Sequence, residues 1–248
     1  MTDKPKTHAA LPLSFLAFSV LLTVLCLGFC LLAERMQATK EIRTEVRAPQ
    51  GITVILDPGH GGEDGGASGG RGPILEKHLN LAIANHVASY LRMNGVSVIC
   101  TRTEDIMLYD KNADYKGRKK ILDLAARLKI SRETENSVFV SIHMNAFPKT
   151  QYSGLQVYYS QNDPRSSELA TLIQNRTKIL LQPENNRKIK GACGNIYLLD
   201  RMETPAVLVE CGFLSNAEEC EKLSDPDYQK QLSLVLADAI LQFVNDAS

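Results

Sequence analysis

The chain has 248 residues, and 28 lysines and arginines are set against 28 aspartates and glutamates, so the formal net charge is 28 − 28 = 0. This balance argues against a protein that coats nucleic acid, because such proteins use an excess of basic side chains to displace phosphate counterions. A hydrophobic content of 44% argues against disorder, since that much apolar surface can offset the entropy lost on ordering. We therefore expect a folded chain of one large or two small domains.

The first 50 residues differ in composition from the rest. Residues 1–8 form a short basic region with Lys4 and Lys6, and residues 9–33 are 25 consecutive residues without a charged side chain. Because about 20 apolar residues cross a bilayer as a helix, residues 9–33 are predicted to be a signal-anchor, with a cleaved signal peptide and a buried helix as the alternatives. The order of these segments predicts an exported protein, membrane-anchored or secreted on the extracytoplasmic side.

Residues 34–50 are polar and are predicted to be a linker, and residues 51–248 to be the catalytic domain. Short β-branched runs bounded by turn residues indicate strands, and apolar residues at every third or fourth position indicate helices. The predicted strands are 53–56, 96–101, 138–142, 155–159, 196–199 and 206–209. The predicted helices are 75–93, 117–132, 164–181 and a C-terminal helix that Asp225 caps and Pro226 begins.

Strands that alternate with helices predict a single α/β domain, with a mainly parallel twisted sheet of about six strands covered by helices on both faces. In such a sheet, ligands bind beyond the carboxyl ends of the strands. His60 follows the first strand, and His143 and Glu210 stand at the ends of two others, while Glu76 begins the first helix. We therefore expect these four side chains to meet at one edge of the sheet.

Two histidines and a glutamate are a ligand set that holds catalytic Zn²⁺ and leaves a fourth position open for water. Each residue also has an ordinary interpretation, since a histidine after a strand is often a hydrogen-bonded loop residue and Glu76 suits a helix N-terminus. Glu210 is harder to explain in that way, because it continues an apolar run and a carboxylate is costly to bury without a partner. Taken together, the residues favour a metal centre at His60, Glu76 and His143, with Glu210 free to act as a base.

The glycine-dense loop from Gly59 to Gly72 would let the backbone approach a ligand closely. A phosphate-binding loop is the competing interpretation, but the loop has neither the G-x-x-x-x-G-K-[ST] nor the G-x-G-x-x-G spacing. The six cysteines are scattered without a C-x-x-C pair, so they indicate neither a thiolate metal site nor a redox motif.

Four motifs in this order resemble the zinc-dependent N-acetylmuramoyl-L-alanine amidases of the type 3 family. They are LDPGHGG at 56–62, LEK at 75–77 with NL at 80–81, SIHMNA at 141–146, and VECGFLSN at 209–216. Within that family, NNRKIK at 185–190, NIYLL at 195–199 and the single domain behind an N-terminal hydrophobic segment are most similar to the CwlD-type spore cortex amidases.

The resemblance implies that His60, Glu76 and His143 bind Zn²⁺ and that Glu210 is the catalytic glutamate. It implies hydrolysis of the amide between N-acetylmuramic acid and L-alanine in peptidoglycan, and in the CwlD-type branch a modification of the spore cortex that leads to muramic-δ-lactam. It further implies an activating or partner protein during sporulation and action in the space between the forespore and mother-cell membranes. Membrane attachment through the N-terminal segment is predicted from residues 9–33 themselves.

Two other functions remain open from the residues. A zinc carboxypeptidase could use similar ligands, and a membrane-tethered protein could bind the wall without cutting it. The intact ligand set, and the lack of Trp, which commonly stacks on sugars, disfavour the binding protein. No nucleic acid partner is expected.

Overall fold

The computed structural model describes residues 51–70, 74–110 and 117–246, and the predictions for residues 1–50 lie outside these ranges. Its strands are β1 (Thr53–Pro58), β2 (Ser68–Gly69), β3 (Ile74–Leu75), β4 (Ser97–Cys100), β5 (Ser137–Asn145), β6 (Gln156–Tyr159), β7 (Lys190–Gly191) and β8 (Ala206–Phe213). Its helices are α1 (Glu76–Met93), α2 (Lys119–Glu133), α3 (Arg165–Leu180), α4 (Ala217–Ser224) and α5 (Pro226–Asp246). Within those ranges, no helix has the length and apolar character that a membrane span requires.

Six strands form one sheet in the order β4-β1-β5-β8-β6-β7. The first four run parallel to one another, β6 is antiparallel to β8, and β7 is parallel to β6. The remaining two strands, β2 and β3, pair separately in the loop between β1 and α1. The predicted single α/β domain with a mainly parallel sheet of about six strands is confirmed.

The alternation of side chains along the strands divides the core between the two faces of the sheet. Val54 and Leu56 of β1 belong to the larger core, which α1, α3 and α5 cover with buried aliphatic residues. Ile55 points to the other face and packs in a smaller core with Leu128 of α2 and Phe139 of β5. Asp57, His143 and Glu210 share the strand parity of Ile55 and Phe139 and so lie on this second face.

The prediction of a strand at 196–199 is wrong. This segment forms a helical turn, in which the backbone N–H of Asp200 donates to the carbonyl of Ile196 at 3.0 Å. The Asp200 carboxylate also accepts the backbone N–H groups of Gly194 and Ile196, both at 3.1 Å. These local hydrogen bonds satisfy the backbone within the turn, and the short apolar run packs into the smaller core rather than into the sheet. The sixth strand is instead β7.

Two predicted strands are longer than expected. His143 and Glu210 were predicted to end their strands, but they are paired with each other inside β5 and β8, which continue to Asn145 and Phe213. The apolar pattern stops at these polar residues, whereas the backbone hydrogen bonds continue past them because pairing does not depend on side-chain polarity. At α5 the predicted cap is confirmed, since Asp225 Oδ1 accepts the Asp227 N–H at 3.0 Å.

Candidate metal centre

The structure brings together the three predicted ligands. His60 lies two residues beyond β1, His143 lies in the neighbouring strand β5, and Glu76 is the first residue of α1. One ligand atom from each residue lies within 4.8 Å of the other two. The two imidazole rings are 5.0 Å apart between centroids and nearly perpendicular, at 73°. Three chain segments therefore direct two nitrogens and one carboxylate oxygen toward a common point.

Glu76 is the centre of this group and is only 3% exposed. Its Oε1 lies 2.9 Å from His143 Nδ1 and 3.2 Å from His60 Nε2, and it accepts the backbone N–H of Met144 at 3.0 Å. The Oε2 atom accepts the backbone N–H of Ala67 at 2.7 Å. Burial acts to raise the pKa of Glu76, but the hydrogen bonds from His143 and His60 outweigh it and hold the pKa far below its ordinary value.

The three side chains fit a divalent metal ion in donor type and number. Zinc sites commonly combine imidazole nitrogens with a carboxylate oxygen, and catalytic sites retain an open position for water or substrate. His60 and His143 supply the two imidazoles and Glu76 supplies the ionised carboxylate, so the cluster provides this set of donors. Among the residues that the structure describes, this is the one cluster of three or more His, Cys, Asp or Glu side chains that could hold a metal.

Glu210 stands beside the cluster, because it is the cross-strand neighbour of His143. The residue is partly exposed, but its Oε2 atom is buried and has no hydrogen-bond partner. Burial raises the pKa of Glu210 to about 7, with the charge of His143 opposing the shift and that of Glu76 adding to it. A carboxyl group of this pKa can hold and release a proton near neutral pH.

The backbone of the loop from Gly59 to Gly72 passes close to the side chains of the centre, as its glycine content predicted. A Cβ atom at Gly59 would overlap the ring of His143, and one at Gly66 would lie against the Glu76 carboxylate and His60. His60 itself adopts the left-handed backbone conformation, with φ of 61°, which costs a non-glycine residue of order 1–3 kcal/mol. The loop therefore places His60 through a conformation that its neighbours must enforce.

Several residues around the centre were not predicted from the sequence. Asp64 Oδ2 lies 2.9 Å from His60 Nδ1, on the side of the ring away from Glu76. Arg127 of α2 forms ion pairs with Asp57 at 2.6 Å and with Asp123 at 2.8 Å, and all three side chains are buried. The sequence contained a signal for the pair of Asp123 and Arg127, because the two residues are four positions apart on the face of α2 that carries Leu128.

In the described part of the chain, neither His78 nor His86 belongs to the cluster of potential ligands. His78 is exposed on α1, and its Nε2 lies 3.4 Å from an oxygen of Asp105. The cysteines in the described part of the chain are free, namely Cys100, Cys193, Cys211 and Cys220. A pocket of about 270 Å³ opens beside His60 and His143, and its wall includes Lys120, Asn195 and Leu198.

Comparison with known proteins identifies the family. The family model described as N-acetylmuramoyl-L-alanine amidase matches residues 54–242. The chain is 37% identical over 196 residues to the germination-specific N-acetylmuramoyl-L-alanine amidase of Bacillus subtilis strain 168, and the match covers 79% of this chain and 81% of that relative.

Two solved structures extend this result. The CwlD amidase of Clostridioides difficile, solved in complex with the GerS lipoprotein, has a TM-score of 0.74 and 37% identity and covers 78% of this chain and 98% of that one. The catalytic domain of the amidase CwlV from Bacillus (Paenibacillus) polymyxa var. colistinus has a TM-score of 0.65 and 30% identity, covering 79% and 99%. The chain belongs to the N-acetylmuramoyl-L-alanine amidases, enzymes that act on peptidoglycan.

Proposed function

We propose that this amidase is zinc-dependent, with His60, Glu76 and His143 as the metal ligands and Glu210 as the general base. The bond cut is the amide between the lactyl group of N-acetylmuramic acid and L-alanine of the stem peptide. The observation that carries the proposal is the convergence of three ligand atoms within 4.8 Å of one another, beside a carboxyl group with a pKa of about 7.

Zinc, when bound, supplies Lewis acidity that polarises the scissile carbonyl and acidifies water. The chain's own contribution to proton transfer is Glu210, whose unpartnered Oε2 takes the proton of the attacking water and passes it to the leaving nitrogen of L-alanine. The cross-strand pairing with His143 keeps this oxygen next to the centre. The backbone N–H groups of Met144 and Ala67 donate to the two oxygens of Glu76 and keep this carboxylate oriented toward the centre.

The pocket beside the two histidines offers space for the substrate around the scissile amide. Its wall combines apolar side chains, Leu124, Leu198 and Leu208, with the polar Lys120 and Asn195. A wall of this kind suits a substrate that carries methyl groups and amides close to the reacting bond. The substrate thus reaches the metal centre on the face of the sheet that α2 covers.

The similarity to a germination-specific amidase and to CwlD supports a role in the spore cortex. We propose that removal of the stem peptide there leads to muramic-δ-lactam. We place the enzyme on the extracytoplasmic side of a membrane, in the space between forespore and mother cell, with residues 9–33 as its membrane attachment or export signal. Because CwlD was solved with the GerS lipoprotein, we also propose a partner protein for this chain during sporulation.

Treatment of the full-length protein with a chelator tests the metal. Release of stem peptides from purified peptidoglycan should stop on chelation and return on addition of Zn²⁺. Mass spectrometry of the products should show peptides with a free N-terminal alanine, whereas release of C-terminal amino acids would indicate a carboxypeptidase. Activity that is indifferent to the chelator would contradict the zinc mechanism.

The cortex role requires an experiment in spores. Muropeptides from spores that lack the gene should contain no muramic-δ-lactam, and the wild-type gene should restore it. A copy that encodes Glu210→Gln is the matched control, since it should leave the lactam absent while the protein is still produced. Normal lactam content in the spores without the gene would contradict this role but not the amidase activity.

A further inference from the structure

Two buried arginines hold the backbone of the loop that presents His60. Arg102 donates from Nε to the carbonyl of Pro58 and from Nη2 to that of Gly59, both at 2.9 Å. Arg127 donates from Nη1 to the carbonyl of Pro58 at 2.9 Å and from Nη2 to that of His60 at 2.7 Å. Three consecutive carbonyls at the carboxyl end of β1 are therefore fixed by guanidinium groups.

Arg127 is itself held rigidly. Its Nε donates to Asp123 Oδ2 at 2.8 Å and its Nη1 to Asp57 Oδ1 at 2.6 Å. Asp57 is completely buried and also accepts the hydroxyl groups of Thr101 and Ser141, each at 2.7 Å. Hydrogen bonds that involve residues of β1, β5 and α2 therefore fix the orientation of the planar guanidinium.

The backbone of His60 needs such support. Its φ of 61° is a conformation that a non-glycine residue keeps only where surrounding contacts enforce it. Arg102 directs its hydrogen bonds to the carbonyls of Pro58, Gly59, Lys77 and Glu104. Arg127 is the arginine that reaches the carbonyl of His60 itself.

We propose that Arg127 is a positioning residue of the metal centre, which fixes the His60 backbone so that the imidazole meets Glu76 and His143. This inference rests on the metal site proposed above. A role in fold stability alone would predict that any folded variant binds metal normally. A positioning role predicts that metal affinity falls even in variants that stay folded.

The test is the Zn²⁺ affinity of Arg127→Lys in the full-length protein, measured by competition with a chromophoric chelator at a temperature where the variant is folded. Lysine keeps the charge near Asp57 and Asp123, but one ammonium cannot reach all the acceptors that the planar guanidinium serves. We expect affinity to fall by about 10–100-fold, the scale found for residues that orient metal ligands. The d–d absorption bands of the Co²⁺-substituted variant should also change, because they report ligand geometry.

Gln229→Ala is the control. Gln229 is 8% exposed on α5, on the other face of the sheet from α2, and its Nε2 donates to the carbonyl of Leu223 at 2.7 Å. Its removal should lower the melting temperature but leave Zn²⁺ affinity unchanged. If Gln229→Ala weakened Zn²⁺ binding as much as Arg127→Lys does, the loss would reflect general destabilisation and the positioning role would be refuted.

Asp123→Asn provides a second variant if Arg127→Lys does not fold. It is nearly isosteric and removes one charged support of Arg127, so we expect a smaller loss of affinity in the same direction. Wild-type affinity and an unchanged Co²⁺ spectrum in a folded variant would overturn the positioning role. Failure of the wild-type protein to bind Zn²⁺ at all would instead overturn the metal site proposed above.

Discussion

The two faces of the sheet are built differently. Counted over the described residues, the face that α1, α3 and α5 cover has a core of 32 buried hydrophobic residues, whereas the face that α2 covers has nine. Beyond the first two residues of α1, the buried polar groups on the helices of the larger core are uncharged, such as Gln174 and Ser233. The buried charged residues lie on β1, on α2, just after β4 or at the start of α1, and they are Asp57, Glu76, Lys77, Arg102, Asp123 and Arg127.

This difference separates stability from chemistry within one domain. Apolar burial contributes free energy in proportion to area, so the larger core supplies most of the hydrophobic stabilisation. Buried charges gain little net stability, because their desolvation consumes most of the attraction between them. Their concentration around His60 and Glu76 therefore indicates that the second face is organised to orient side chains. Four predictions test this separation.

The largest effect is expected for Glu210→Gln on the second face. Turnover should fall by about 10²–10⁴-fold, the scale of lost acid–base catalysis, because glutamine cannot accept the proton of water. Zinc content and the melting temperature of the zinc-bound protein should stay close to wild type. Turnover on peptidoglycan fragments and metal analysis measure these quantities, and near-normal turnover would remove Glu210 from the role of base.

The next effect concerns the larger core. Leu91 is fully buried near the end of α1, 15 residues and about 22 Å along the helix from Glu76. Leu91→Ala should lower the free energy of unfolding by about 2–5 kcal/mol through lost burial and a cavity. Turnover per folded molecule should be unchanged. Urea denaturation measures the stability, and an activity assay at low temperature measures the turnover. A loss of turnover in the folded variant would show that the larger core also determines the chemistry of the site.

The third prediction concerns the metal-free protein and pH. The pKa of Glu210 is about 7 in the folded chain and 4.5 ordinarily, so between these values the folded state binds more protons than the unfolded state. The contribution of Glu210 to the free energy of unfolding is therefore fully present below pH 4.5 and is lost as the pH rises through 7. The loss amounts to roughly 3 kcal/mol. Glu210→Gln removes this dependence.

The measurement compares urea unfolding of wild type and Glu210→Gln in chelator at pH 5 and pH 8. The variant should gain stability relative to wild type at the higher pH, because it carries no unpartnered buried charge. An equal difference at both pH values would mean that Glu210 titrates at its ordinary value.

The smallest effect is expected on the exposed side of α2. Lys129 and Glu133 are four residues apart, like Asp123 and Arg127, but their side chains are 71% and 65% exposed and 3.6 Å apart. Lys129→Ala should change the free energy of unfolding by at most about 0.5 kcal/mol, because solvent screens the pair. A change of several kcal/mol on urea denaturation would contradict the distinction between buried and exposed pairs on this helix.

The fold was largely predictable because its signals are local. The spacing of Leu79, Ile83, Val87 and Leu91 predicted α1, and β-branched runs predicted five of the six strands of the sheet. The segment 196–199 was mispredicted, since a short apolar run does not distinguish a strand from a buried helical turn. The two-residue strands β2, β3 and β7 and the eight-residue helix α4 were missed, because segments this short show no detectable hydrophobic period.

The site was predictable in part. Residue type, position after strands and the family motifs selected His60, Glu76, His143 and Glu210, and the first three lie together in the structure. Their roles as zinc ligands and base, and the assignments of residues 1–50, stay predictions. Arg127 was missed, because an arginine on a helix usually faces solvent and only packing reveals that it reaches a loop 67 residues earlier.

The class of the protein is already encoded in local patterns, because apolar periods specify the sheet and its helices and four short motifs identify the family. Tertiary structure decided the chemistry of the site. The low pKa of Glu76, the pKa of about 7 at Glu210 and the strained backbone of His60 each depend on groups from other segments. Desolvation, charge and backbone support act through space, so they exist only once β1, β5, β8, α1 and α2 are packed together.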